Sequence, residues 1–313
     1  MTCYTPILER TNGGMRLTEV EDTFAEAFDG LFCRILITAR DEVRLKRAAY
    51  GSTALPMVVM GRGEGGIEKW VGPAETPDGR LGAVVQFWTA ISELQPSEVT
   101  LKKFVKEASY RIRQEILVEP TTCVFNALDS ASHFDVMDSV GHCGDGYEWE
   151  EKYAGRQVIN VPIMMPGFRI ERYLGYDVGV SGGNLWFMCQ DEDSALKAGD
   201  KALESVHSIK GVITPFDICA AGSKPETKYP EIGPTTNHLY VPSLKEKITE
   251  SKVPEGVRSI PEIVINGVSL EAVRQAMKAS IDAVRDVKGV VKISAGNYGG
   301  KLGKYRIYLH ELL

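Results

Sequence analysis

The residues from which chemistry could be built in this chain are five histidines, six cysteines and a carboxylate that heads a short apolar strand. His133, His142, His207, His238 and His310 are scattered, and neither an HExxH nor a CxxC pair occurs, so the spacing offers no metal site. His142 beside Cys143 is the nearest approach to a nucleophile and base, and its plain reading is a surface residue next to a core one. Glu262 differs. It precedes Ile263, Val264 and Ile265 and is bracketed by Pro261 and by Asn266-Gly267. Half-burial there would raise its pKa and suit it to proton transfer, whereas a solvated charge at a strand end is the plainer reading of the residues alone.

The glycine-rich stretch from Gly296 to Gly303 invites comparison with phosphate loops, whose backbone N–H groups cradle anions. A Walker loop needs glycine where Ala295 stands and a hydroxyl where Leu302 stands, so the stretch reads as a turn between two strands. Anion binding by Lys301 and Lys304 stays open. Pro77-Asp78-Gly79 reads as a β-turn, and Gly182-Gly183-Asn184 as a tight turn into a strand at Leu185.

These residues must be positioned by a repeated unit in the second half. Lys210-Gly211-Val212 recurs as Lys288-Gly289-Val290. At the same offset, the stripe Ala195, Gly199, Ala202, Val206, Ile209 matches Val273, Met277, Ser280, Val284, Val287, and each predicts a helix with one buried face. Apolar strands at 185–189 and 263–265 precede the helices, and others at 212–214 and 290–293 follow them. Two strand-helix-strand units predict an α+β fold with ferredoxin-like packing and right-handed crossovers. In the first half, residues 82–88 read as a strand, 99–115 as an amphipathic helix and 123–125 as further apolar structure. The sequence turns polar and glycine-rich over 144–156, which places a seam near Gly155 and divides the chain into lobes 1–155 and 156–313. The first fourteen residues read as an appendage, with Met15 an alternative start.

A chain of 313 residues with 43% hydrophobic and 25% charged residues can fold throughout as two lobes. A net charge of −6 without a basic stripe argues against nucleic acid. Apolar runs fall far short of the roughly 20 residues a spanning helix needs, which argues against a membrane protein. The cysteines Cys3, Cys33, Cys123, Cys143, Cys189 and Cys219 fit buried free thiols in a reducing cytoplasm, although six could also pair.

Residues 20–28, the turn at 75–80, Pro120-Thr121-Thr122, Gly144-Asp145-Gly146-Tyr147, residues 262–267 and residues 293–303 together resemble formylmethanofuran:tetrahydromethanopterin formyltransferases, in order, from about Val20 to the ending Leu309-His310-Glu311-Leu312. The resemblance implies two related ferredoxin-like lobes, the N-terminal one proximal and the C-terminal one distal, assembled as dimers or tetramers with clefts between subunits. It implies formyl transfer from methanofuran to N5 of tetrahydromethanopterin, in archaeal methane metabolism or bacterial formaldehyde oxidation. The carriers are substrates, no cofactor is permanently bound, and hydrolase subunits are partners in the bacterial complex. It makes Glu262 the acid/base residue and Asn266 and Asn297 hydrogen-bonding candidates. Because the carriers are anionic, Arg34, Lys224, Lys301 and Lys304 become candidate partners for them by charge. The chain departs from the family pattern where Asp217-Ile218-Cys219 replaces Pro-Gly-Gly, where Pro261 replaces Tyr, and where residues 61–67 alter Cys-Pro-Ala-Glu-Ala-Gly-Ile. A formyltransferase-like paralogue, non-catalytic or with altered carriers and acting as a complex subunit, is the alternative.

Overall fold

The computed structural model describes residues 18–54, 63–91, 97–165 and 167–313. The appendage and the alternative start at Met15 lie outside the described residues.

After the two-residue strand β1 (Glu19–Val20), the chain enters β2 (Phe24–Ala39), whose run of apolar residues is buried along nearly its whole length. Asp41 then accepts the Arg44 N–H and starts α1 (Glu42–Thr53). The strands β3 (Gly63–Val71) and β4 (Leu81–Ala90) follow, and Ser97 caps α2 (Glu98–Arg111) by accepting the Thr100 N–H. A π-type turn over Ile112–Ile116 prolongs α2 toward β5 (Cys123–Asn126). Pairing is antiparallel in the order β3–β4–β2–β5.

A short strand β6 (His133–Asp135) comes next, then the hairpin of β7 (Trp149–Tyr153) and β8 (Arg156–Val161), and β9 (Phe168–Glu171). The glycine-rich stretch expected as a seam is partly this hairpin. Its two-residue turn is Ala154-Gly155, with φ of 50° and 77°, the positive values that such turns require.

The second half opens on the long strand β10 (Tyr173–Cys189), and Asp191 caps α3 (Glu192–His207). Three two-residue strands and connecting turns follow: β11 (Val212–Ile213), β12 (Ser223–Lys224) and β13 (Thr235–Thr236). The half closes with β14 (Glu262–Gly267), α4 (Leu270–Val284), β15 (Val290–Ser294) and β16 (Tyr305–Tyr308). Pairing is again antiparallel, in the order β11–β14–β10–β15. The two halves therefore share one succession, strand-helix-strand-strand-helix-strand, and one pairing order.

The expected helical stripes are the buried faces. Ala195, Ala202 and Val206 of α3 and Val273, Met277, Ser280 and Val284 of α4 are all shielded, and the Ser205 and Ser280 hydroxyls meet at 3.3 Å. One expectation is corrected: Gly182-Gly183-Asn184 is not a turn into a new strand. The chain runs straight through it as β10, and the pairing with β14 slips there by a bulge in which Gly182 takes φ of 86°. The strand expected at Leu185 is thus the far end of a longer one.

β2 and β10 also pair with each other, which fuses both halves into one sheet of fourteen strands and makes this a mixed α/β protein. The core has two main clusters. Leu31, Ile35 and Ile37 of β2 pack in the first with Leu174 of β10; Ala25 and Ala27 of β2 pack in the second with Val180, Leu185 and Phe187 of β10. Each long strand therefore serves both cores. Among the described residues no helix is long and apolar enough to cross a membrane.

Candidate active site

Glu262 begins β14, directly opposite Trp186 on β10. Its backbone is bridged on the other side to Cys219, whose N–H donates to the Glu262 carbonyl at 2.8 Å and whose carbonyl accepts the Glu262 N–H at 2.9 Å. The side chain is half-buried, and the Trp186 indole Nε1 donates to its Oε1 at 3.0 Å. Burial pushes this carboxyl above its usual range, and the Trp186 N–H and the Cys219 thiol pull it only partly back. Among the described residues no cation is paired with it, so the group can hold or release a proton.

Glu262 opens into a cleft of about 460 Å³ whose walls include Trp186, Ile218, Tyr240, Arg258 and Pro261. Tyr240 packs edge-on against Trp186, with ring centroids 4.8 Å apart. The Arg258 guanidinium at the exposed rim is the one fixed positive charge in the lining. From the glycine-rich loop, Tyr298 sends its hydroxyl to the Ser223 carbonyl at 3.4 Å. Burial, then the charges of Glu262, Glu226 and Glu26, push that phenol upward. A cleft lined by the carboxyls of Glu262 and Glu192 and by one rim cation, Arg258, suits proton transfer on an anionic organic substrate. Another hollow, of about 410 Å³, runs along the outer face of α2 and contains none of the candidate residues.

Of the six candidates from the sequence, Glu262 alone lines the cleft. Lys224 stands on β12, two residues beyond the lining Gly222, with its Nζ on the Glu226 carbonyl. Lys301 is exposed and makes no hydrogen bond or ion pair among the described residues. Asn266 is wholly buried: it donates to Glu64 at 2.6 Å and accepts the Gly182 N–H at 3.0 Å. Asn297 donates to the Thr23 hydroxyl and the Phe24 carbonyl, both at 3.0 Å. Arg34 forks onto Glu68 at 2.5 and 2.8 Å and donates to the Ala127 carbonyl. These last three side chains hold the protein together. Lys304, read with them, pairs with Asp29 at 2.6 Å.

The anion in the glycine-rich loop is the protein's own. Glu26, 2% exposed, accepts the backbone N–H groups of Tyr298 at 3.0 Å, Leu302 at 3.1 Å, Gly303 at 2.7 Å, and Gly300. These four donors outweigh burial and hold its carboxyl below the usual range. Sequence reasoning missed Glu26, Trp186, Tyr298 and Arg258. Arg258 was the most accessible of them, four residues before Glu262 in an extended segment; nothing in spacing links the other three to it. His142 sits on the surface against Glu148 at 2.7 Å, and no cluster of three metal-ligating side chains occurs among the described residues.

Comparison with known proteins identifies the family. Residues 14–163 match the family described as formylmethanofuran-tetrahydromethanopterin formyltransferase, and residues 166–312 match its companion described as "FTR, proximal lobe". The proximal name thus attaches to the C-terminal stretch, the reverse of the labels expected above. A relative from Archaeoglobus fulgidus, a formylmethanofuran–tetrahydromethanopterin formyltransferase-like protein, is 57% identical over 94% of this chain and 96% of its own. The solved formylmethanofuran:tetrahydromethanopterin formyltransferase of Methanosarcina barkeri superposes with a TM-score of 0.85 at 41% identity, covering 95% of this chain and 98% of that one. The formyltransferase/hydrolase complex of Methylorubrum extorquens, solved with methylofuran, gives 0.84 at 30% identity, over 94% of this chain and 96% of the matched chain.

Proposed function

Because the chain belongs to the formylmethanofuran-tetrahydromethanopterin formyltransferase family, we propose that it is an acyltransferase moving a formyl group between a methanofuran-type carrier and N5 of tetrahydromethanopterin, with Glu262 relaying the proton. The incoming amine attacks the formamide carbon and a new C–N bond forms. Its proton passes to the Glu262 carboxylate and from there to the departing nitrogen as the old C–N bond breaks. The formyl group goes directly from nitrogen to nitrogen without a covalent enzyme intermediate. The chemistry asks for no resident cofactor beyond the two carriers. Holding both carriers in line supplies up to roughly 7–11 kcal/mol of the barrier in ideal cases. The observation that carries this reading is a half-buried carboxyl, held by a neutral donor and pushed upward, in the wall of this cleft.

Under this reading the remaining residues divide in two. Arg258 at the rim, with Lys224 and Lys301 as further partners by charge, meets the carriers' anionic groups, whereas Asn266, Asn297 and Arg34 act through the backbone they hold. The common pairing order of the halves supports two ferredoxin-like lobes. Assembly as dimers or tetramers in the cytoplasm is proposed from the family resemblance, and the formyltransferase/hydrolase complex of Methylorubrum extorquens supports hydrolase subunits as partners where a complex forms.

The test is to mix the purified protein with formylmethanofuran and tetrahydromethanopterin and to follow the formylated pterin by mass. Wild type should form it and Glu262→Gln should lose about a hundredfold or more in rate. The alternative of a non-catalytic or altered-carrier paralogue is not favoured, since relatives 43% and 41% identical are named as the formyltransferase itself, although Asp217-Ile218-Cys219 departs from the family beside Glu262. No product from folded wild type would select that reading, a paralogue with altered carriers or none.

A further inference from the structure

Trp186 and the glycine-rich loop are unaccounted for by the reaction as written, yet the structure joins them to Glu262. The indole N–H donates to Oε1 of Glu262, and the Cys219 thiol is the other neutral donor to this carboxyl. The ring is 6% exposed and is fixed on two sides. Tyr240 meets it edge-on, and Gly296 lies so close that a Cβ there would stand 2.8 Å from Cζ2 and 3.2 Å from Cε2.

Gly296 is itself clasped. Asn184, two residues before Trp186 on β10, accepts the Gly296 N–H at 2.6 Å and donates to its carbonyl at 3.2 Å. Beyond Gly296, Asn297 ties the loop to β2 and Glu26 gathers four of its N–H groups. The loop is therefore fixed at one end by the half-buried Asn184 and at the other by the buried Glu26, with its first residue pressed against the indole.

Resting on the formyl-transfer reading, we propose that this loop is a platform for Trp186, and that Trp186 is a positioning residue which fixes the orientation of the Glu262 carboxyl. A neutral donor suits this task. An arginine fork, as Arg34 provides for Glu68, would orient a carboxylate equally well but hold it ionised. An indole N–H orients one oxygen and leaves the group free to take up and give back the proton.

Trp186→Phe keeps an aromatic ring beside Tyr240 and removes the N–H, together with the Cε2 and Cζ2 atoms that Gly296 faces. Its kcat for formyl transfer should fall about tenfold to a hundredfold, with KM changed less than about threefold. The acid limb of the pH–rate profile, on which Glu262 loses its carboxylate form, should move to higher pH, because a donor that favours the ionised form is gone. Gly296→Ala keeps the N–H but displaces the ring, and should lower kcat without that uniform upward shift. If both variants are folded, by melting temperature and near-ultraviolet circular dichroism, yet match wild type in kcat and pH limb while Glu262→Gln is inactive, the positioning role is overturned and Glu262 stands. If Trp186→Phe does not fold, Gly296→Ala decides alone, and wild-type kcat there overturns the role. Full activity of Glu262→Gln would instead remove the reading on which the proposal rests.

Discussion

Three glutamates show how one residue type is given three tasks by its neighbours. Glu262 has a neutral indole donor and burial, and its carboxyl is pushed up. Glu68, also buried, meets the Arg34 fork, the Gln86 amide at 2.8 Å and the Gly211 N–H at 3.0 Å, and is pulled down. Glu26 is pulled down by four backbone amides. For Glu26 the consequence is one of stability. Its pKa is depressed on folding, so its contribution is present above the unfolded value and is lost as pH falls through the folded one. Glu26→Gln should therefore lower unfolding free energy at neutral pH by about 2–4 kcal/mol and flatten the acid side of the stability profile, in urea titrations between neutral pH and the acid range. An equal loss at every pH would mean that the loop needs the side chain's shape and not its charge. At this scale the sequence was legible only in part. Pro261 and the following apolar run mark Glu262 as a strand head, and the family resemblance makes it the acid/base candidate. Glu26 could not be found, since its partners lie more than 270 residues away along the chain.

Elements were the most legible level, because period and capping are local properties. The stripes of α3 and α4 and the caps Asp191 and Ser269 are written in consecutive residues, and the strand-helix-strand units follow from them. What misled was Gly182-Gly183-Asn184, where the residues of a turn serve a bulge instead. A bulge shares its local signature with a turn, and only the partner strand distinguishes them. The small residues of α3 acquire a reason at this scale. Gly199 lies under Ile218, so closely that an added Cβ would collide with Ile218 Cγ1 and Cδ1. Ile218 adjoins Cys219, whose bridge fixes the start of β14 at Glu262. Gly199→Val should push this segment outward, lowering stability by about 1–3 kcal/mol and formyl transfer with it. Adding Ile218→Ala should recover part of both losses, giving a favourable coupling in a double-mutant cycle of thermal unfolding and activity. Strict additivity would show that the helix surface and the segment bearing Cys219 do not press on each other.

At the scale of the whole molecule, the halves are joined by more than the β2–β10 pairing. Two acidic residues of β3, from the first half, reach residues of the second. Glu68 accepts the Gly211 N–H, and Glu64 accepts from Asn266 while burial pushes its own carboxyl up. Between them, a Cβ on Gly66 would lie 2.8 Å from Ile213 Cβ, so β3 and β11 can approach this closely only with glycine there. Glu68 is the centre of this junction, because Arg34 and Gln86 of the first half converge on it as well, and Trp88 donates to Gln86 at 2.8 Å. Removing its charge leaves the Arg34 guanidinium largely buried with its principal acceptor neutralised, so Glu68→Gln should lower stability by about 3–5 kcal/mol. Asn266→Ala, which removes the hydrogen bonds to Glu64 and from the Gly182 N–H, should cost about 1–3 kcal/mol. Because the Glu68 pKa is depressed on folding, the gap between wild type and Glu68→Gln should be full at neutral pH and close as acid protonates the wild-type carboxylate. Urea unfolding followed by tryptophan fluorescence and by circular dichroism checks this. Wild type should unfold in one coincident transition, since the two long strands tie each core to the other, and Glu68→Gln should shift the midpoint before it separates the probes. Separation in the wild type itself would mean that the halves fold independently and that Glu68 serves only the first of them.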